Sequence, residues 1–317
     1  MKPLARLALA ALVGGIPLTA LATLDFPSTF RVDCDAKSRR TITRALERAR
    51  DGDTISIRGT CTETLVIEKG VTLDGGGTAS VAPAAPNDPT LTVLGRGVTL
   101  RGLRLESPAA FQVFVLRAAE VVLDSVEIRN ARNFGISVAT HSTLAMVGST
   151  VADNGLGGMV ALAQAEVTVG AIVFFDPPNP NTFVNNGPFG VVLASGSGGR
   201  IISGNTFRGH NIGIAVLDGA QARIAGNLID GNNIGIFSDS NATVQLPVQG
   251  NAVPAFNELN SGTNAQLGIA CKGGTIQGFI DGLAPAAALP PTRGALGGPV
   301  TSLPTFCLDQ TERLPSS

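Results

Sequence analysis

Residues 204–214, GNTFRGHNIGI, recur 22 positions later as GNLIDGNNIGI, with seven of eleven positions identical. A motif of an apolar residue, Gly and alternating apolar residues places glycines at 135, 157, 190, 213, 235 and 268, spaced 22, 33, 23, 22 and 33. A second column of alternating segments begins near Val71, Val98, Val121, Thr143, Val167, Arg200, Ala222 and Thr243. A period of about 22 residues admits two main architectures, the leucine-rich repeat and the parallel β-helix, which differ in whether each unit contains a helix. Residues 227–236 hold three Asn and two Gly, which a helix does not tolerate, and no L-x-x-L-x-L pattern occurs. The repeat therefore predicts an all-β chain, a right-handed parallel β-helix of about nine coils stacked about 4.8 Å apart. Phe207, Ile229, Ile214 and Ile236 are expected inside, each on its equivalent one coil away. Asn211 and Asn233 are expected at turns, bonded to one another across coils, because Asn accepts the left-handed backbone a sharp turn needs.

A solenoid leaves open strand edges and open core at both ends, so it requires caps. Ile42, Ala45, Leu46 and Ala49 fall at helical spacing with Arg44, Glu47, Arg48 and Arg50 opposite, which predicts a short helix over the first coil before Asp51-Gly52-Asp53 turns into the strand from Thr54. Residues 1–22 carry Lys2, Arg6 and an apolar run ending in Ala20-Leu21-Ala22, the pattern of a secretory signal peptide, with no later run long enough for a membrane span. The expected divisions are 1–22 signal peptide, 23–53 cap, 54–282 repeats, and 283–317 an irregular Ala/Pro/Gly-rich cap or tail. Export to the periplasm or beyond permits disulfides, and four cysteines allow three pairings. Their order favours Cys34 with Cys61 and Cys271 with Cys307, one staple at each end, each contributing roughly 3 to 4 kcal/mol by loop entropy.

The cap, the DGDTISI segment from Asp51, the GVTLDGGG segment from Gly70 and the NIGI coils resemble the pectate-lyase-like right-handed β-helix superfamily over Val32 to Gly282. The asparagine-rich coils are most similar to a branch with periplasmic copper-processing accessory proteins and carbohydrate-binding or sugar-hydrolase modules. The resemblance implies one of several roles: polysaccharide lyase, hydrolase, epimerase or non-catalytic binder. Fold alone does not choose among them.

The residues narrow the choice. With 23 Lys plus Arg against 24 Asp plus Glu, scattered along the chain, no basic face for nucleic acid is expected. No Asp-Asp pair exists; Gly209-His210-Asn211 is an ordinary turn of the repeat, and Asp176-Pro177-Pro178-Asn179 a turn signal. His141 and His210 are the only histidines, and no cofactor motif occurs, which leaves a weak calcium site near Asp218 and Asp239 as the one cofactor candidate. The two 33-residue intervals carry extra residues near Phe174–Gly187 and Leu246–Gln266, expected to wall a groove on one face. Arg208, His210, Asp230 and Asn232 are read as its outward floor, with Asp176 and Glu258 from the walls. The leading expectation is an exported non-catalytic module that binds or scaffolds glycans or a protein partner; a lyase or hydrolase acting on an acidic polysaccharide and a periplasmic accessory for metalloenzyme assembly are the alternatives. With no Trp or Tyr to stack on sugar rings, glycan binding would rest on hydrogen bonds and Phe.

Overall fold

The computed structural model describes residues 26–36, 41–170, 179–246, 257–259, 267–272, 274–277 and 280–281. Each coil carries three strands. In one representative turn of the solenoid these are Glu120–Asp124, Glu127–Arg129 and Phe134–Val138, after which the chain enters Thr143–Val147 of the next coil. All pairing is parallel, Leu144 lying on Val121, Val151 on Ile128 and Met159 on Ile136. Among the described residues the third sheet has nine strands. The first and second run into one another because Thr72–Ala82 and Val98–Glu106 pass round the shared corner unbroken, with Gly76, Gly77 and Gly102 at positive φ where they bend. The expected β-helix of about nine coils is thus present, with a third strand per coil that the sequence columns did not separate.

Alternation decides which residues enter the core. In the first sheet Leu123, Leu144, Met146, Val169, Ile201, Ile224 and Val244 are fully buried, while Glu120, Thr143, Arg200, Arg223 and Gln245 face solvent. Like stacks on like as expected. Phe207 lies on Phe183 with ring centroids 5.0 Å apart and on Ile229 in the next coil, and Ile214 lies on Ile236. Register also amends the glycine column. Ile136 pairs with Met159, so the equivalent of Gly135 is Gly158 rather than Gly157, which pairs with Phe134. The column exists because a side chain there would strike the neighbouring coil: a Cβ on Gly213 would lie 2.7 Å from the Gly235 carbonyl oxygen.

The turn from the third sheet back to the first uses two successive left-handed residues in coil after coil, among them Thr140 and His141, Ala163 and Gln164, and Ser240 and Asn241. Left-handed non-glycine residues cost roughly 1 to 2 kcal/mol each. Pairing through the turn offsets that cost, as His141 N–H donates to the Ala163 carbonyl at 3.1 Å and Gln164 N–H to that of Ser195 at 3.2 Å.

The helix Ile42–Arg48 lies where its periodicity placed it, burying Ile42, Ala45 and Leu46. Its ends are held from coils distant in sequence. The Glu63 carboxylate accepts from Ile42 N (2.9 Å), Thr43 N (3.0 Å) and Thr43 Oγ1 (2.7 Å), and Lys69 Nζ donates to the carbonyls of Leu46, Glu47 and Ala49 at 2.8, 2.9 and 2.7 Å. Asp53 accepts from Ser28 N and Arg50 N at 2.6 and 2.8 Å, and these backbone bonds hold its carboxyl below the usual carboxylate range. Cys34 and Cys61 form the expected disulfide, Cα–Cα 5.2 Å, which suits an oxidising compartment. Cys271 is also disulfide-bonded; Cys307, the 1–22 leader and the whole of the 283–317 tail lie outside the described residues.

Candidate functional site

Of the six residues expected to line a groove, His210 and Asn232 are turned into the interior, while Asp176 and the Glu258 side chain lie outside the described residues. Arg208 and Asp230 pair across adjacent coils of the second sheet, Arg208 Nε to Asp230 Oδ1 at 2.8 Å and Nη2 to Oδ2 at 2.5 Å. The Arg208 side chain is 56% exposed and that of Asp230 only 9%, so both stand on the outward face of the second sheet, with the carboxylate covered beneath its cation. His210 and Asn232 point inward, 4% and 1% exposed, which corrects their expected orientation. The physical reason is the corner between second and third sheets: its first side chain turns in to satisfy backbone groups that the bend leaves without a strand partner. Asp176 lies outside the described residues, and of Glu258 the backbone is defined, paired with Leu228 and Asp281.

The corner is filled by a ladder of buried amides. Asn154 Nδ2 donates to Asn186 Oδ1 at 2.7 Å; His210 follows in the next coil, then Asn232. Asn232 Oδ1 accepts from both His210 N (3.0 Å) and His210 Nδ1 (2.9 Å), while Asn186 Nδ2 lies 3.3 Å from Nε2. An amide NH2 on one side and an amide oxygen on the other assign the proton to Nδ1 and leave Nε2 as acceptor. Burial pushes the imidazole pKa down to about 4, against a smaller raising effect of the Asn232 bond, so the ring is neutral at pH 7. His210 is a structural member of the ladder, and its alignment with Asn232 in the repeat was the available sequence clue. A parallel ladder, Asn181–Asn205–Asn227, lines the corner between the first two sheets, with amide bonds of 2.9 and 2.7 Å. The expected Asn233–Asn211 bond is present at 2.8 Å on the surface. Asp218 accepts from Ser195 Oγ, Asp239 from Ser240 N, and among the described residues no three His, Cys, Asp or Glu converge.

Charges on the second sheet are largely used internally. Arg104 meets Glu106 and Glu127, and Arg129 meets Glu127 at 2.5 Å and Asp153 at 2.6 Å. The first sheet differs. Arg200 and Arg223 are exposed register partners on adjacent strands Gly198–Ile202 and Gln221–Ala225, and neither has an ion-pair partner among the described residues. They border a shallow depression of about 210 Å³ lined also by Glu166, Gln221, Thr243 and Gln245. Glu166 is the only carboxylate lining it. Two like charges in register about 4.8 Å apart repel, and an oxyanion placed across both would turn that repulsion into two charge-assisted contacts. Sequence reasoning missed this pair; the clue was two arginines 23 apart, both at outward positions of the alternation.

Three comparisons with known proteins bear on this. The model of the periplasmic copper-binding protein (NosD) family matches residues 96–253. No curated protein matches the sequence. Among solved structures, pectate lyase Pel9A aligns at TM-score 0.54 with 11% identity, covering 80% of this chain and 78% of that one. An alginate lyase from Paenibacillus sp. str. FPU-7 aligns at TM-score 0.40 with 14% identity, covering 78% of this chain and 95% of that one. At such identity the likeness speaks for fold alone. Taken with the parallel register of the described coils, the family match and the likeness to pectate lyase Pel9A show the fold, a right-handed parallel β-helix of the pectate-lyase-like kind.

Proposed function

We propose that the protein is an exported, non-catalytic β-helix module that binds a carboxylate- or sulfate-bearing glycan across the first sheet, with Arg200 and Arg223 as its cationic contacts. The observation that supports this reading is an arginine pair in register on a polar, solvent-facing sheet, without an ion-pair partner among the described residues. Gln221, Thr243 and Gln245 supply neutral donors and acceptors for sugar hydroxyls in the same depression. Cleavage by elimination needs a base beside carboxylates that hold a cation, and hydrolysis needs two carboxylates about 5 to 10 Å apart; one glutamate at the rim serves neither.

The test is calorimetric titration of the full exported chain with an oligouronate, a sulfated oligosaccharide and a neutral oligosaccharide of matched length. The acidic ligands should bind and the neutral one should not. Each arginine is expected to supply about tenfold in affinity, roughly 1.4 kcal/mol, and high salt should weaken binding. Arg200→Ala with Arg223→Ala should weaken it about a hundredfold without change in the circular dichroism spectrum. Equal binding of the neutral ligand, or full affinity in the double variant, overturns the proposal, and unsaturated or shortened product would make the protein an enzyme.

A second reading, a periplasmic accessory to metalloenzyme assembly, is supported by the family match over residues 96–253. In that case a protein partner should co-purify from the periplasm and survive the arginine substitutions.

A further inference from the structure

Of the chain's asparagines only Asn241 opens an Asn-x-Ser/Thr triplet, Asn241-Ala242-Thr243, the acceptor pattern for N-linked sugar. Asp239, two residues before it, adds a negative charge that an acceptor-binding enzyme can read. So short a pattern recurs by chance, and it has meaning only on the surface of an exported chain, where a bulky, hydrated sugar can be carried. The Cys34–Cys61 disulfide suits such a compartment. Where the fold puts Asn241 is therefore decisive.

The asparagines of the corners are spent on structure. Asn154, Asn181, Asn186, Asn205, Asn227 and Asn232 are at most 2% exposed, and their amides build the two ladders. Asn211 and Asn233 lie at the surface but bond to one another at 2.8 Å. Asn241 differs on each count. It is exposed, in the turn from the third-sheet strand Ile234–Asp239 to the first-sheet strand Thr243–Gln245, and its amide has no hydrogen-bond partner among the described residues. Ser240 and Asn241 take the left-handed backbone of this turn, φ 53° and 62°, which asparagine accepts. Backbone bonds hold the turn without the side chain: Ser240 N–H donates to the Lys272 carbonyl at 3.2 Å and Ala242 N–H to that of Asp239 at 3.1 Å. There is room as well. The same turn one coil earlier is Asp218-Gly219, and a Cβ added to Gly219 would meet nothing within 4 Å.

We propose that Asn241 is an N-glycosylation site, the acceptor of an oligosaccharide delivered as a lipid pyrophosphate. In the transfer, Asn241 Nδ2 attacks the anomeric carbon of the donor sugar. The N–C bond forms as the C–O bond to pyrophosphate breaks, the lipid pyrophosphate leaves with the bonding pair, and the amide nitrogen gives up one proton. The Thr243 hydroxyl is the part of the triplet that the transferase reads beside the amide. In the folded chain Thr243 is paired on both sides, with Gln221 and Thr275, so the triplet can be drawn into an enzyme only before this coil closes, during export. The finished glycan stands at the border of the first sheet, next to Thr243 and Gln245 of its depression, and hydrates that edge.

Mass spectrometry of the full protein purified from its own host tests this. Trypsin cuts after Arg223 and Lys272 with no Lys or Arg between, so Asn241 falls in the single peptide Ile224–Lys272, read after reduction. That peptide should carry added mass in whole sugar units, and fragmentation should place them on Asn241. Asn241→Gln should return it to the mass of its sequence. Thr243→Val keeps the branched shape a strand favours but lacks the hydroxyl, and should lose the sugar although Asn241 remains; Thr243→Ser keeps the hydroxyl and should retain the sugar. Circular dichroism spectra matching the parent establish that the variants fold. A parent peptide at its bare mass overturns the proposal whatever the variants do, and so do sugar on a Ser or Thr oxygen and full occupancy in Thr243→Val.

Discussion

His210 sets up a measurable acid sensitivity. Its neutral ring sits between an amide NH2 and an amide oxygen, and its pKa is about 4 in the folded chain against roughly 6.5 for an unfolded histidine. Because the folded value is the lower one, the unfolded chain takes up a proton as pH falls through 6.5 while the folded chain resists until about 4. Stability from this site is thus complete above pH 6.5 and lost progressively down to about pH 4. The 2.5-unit difference corresponds to about 3 kcal/mol in full and about 2 kcal/mol at pH 5. His210→Asn should convert the position to the residue present one coil before and one coil after. It removes the titration, at a cost of about 1 kcal/mol at pH 7.5 because the ring, 3.1 Å from where a Gly190 Cβ would lie, leaves a small void. Urea unfolding at pH 7.5 and 5.0 gives the comparison: the parent protein should lose about 2 kcal/mol more than the variant between the two. Acid titration of the remaining carboxylates, Asp53 among them, is common to both proteins and cancels in the difference. Parallel losses would refute the reasoning, since His210 would then be protonated or solvated in the folded state.

Other predictions follow from buried partners. Arg208→Ala should lower the urea midpoint because it strands a carboxylate that is 9% exposed, and Arg208→Ala with Asp230→Ala should recover part of that loss in a double-mutant cycle. Lys69→Met should leave two helix carbonyls and that of the C-cap Ala49 without this donor, and hydrogen exchange across Ile42–Arg48 should accelerate at least tenfold, with the central coils unaffected. Asn205→Leu, which is close to isosteric, should destabilise by about 2 to 4 kcal/mol, since it breaks the ladder on both sides and leaves the Val169 and Ile202 carbonyls unpaired; thermal unfolding measures it.

How much of this was legible in the sequence depends on the range of the interaction. The 22-residue period, the helix over Ile42 to Ala49, and the inward stacking of Phe207 on Ile229 were readable because each is a local alternation repeated at fixed spacing. A parallel solenoid converts spacing along the chain into neighbourhood in space, so the Cys34–Cys61 bridge was readable as well. The direction of a corner residue was not. His210 lies two positions beyond Arg208, and strict alternation would turn both outward; the bend between second and third sheets breaks the alternation and sends His210 into the ladder. One residue of register, Gly158 in place of Gly157, was likewise set by pairing across coils.

The candidate site divides in the same way. Sequence by itself determined that the chain is a solenoid of short strands with polar and apolar residues in alternation, since backbone hydrogen bonding and burial leave a repeat of this length and composition little else to form. Tertiary structure decided which charges are spent. Arg208, Arg104 and Arg129 find carboxylates in the coil next door, whereas among the described residues Arg200 and Arg223 have none, and that difference depends on which residue the neighbouring strand places in register.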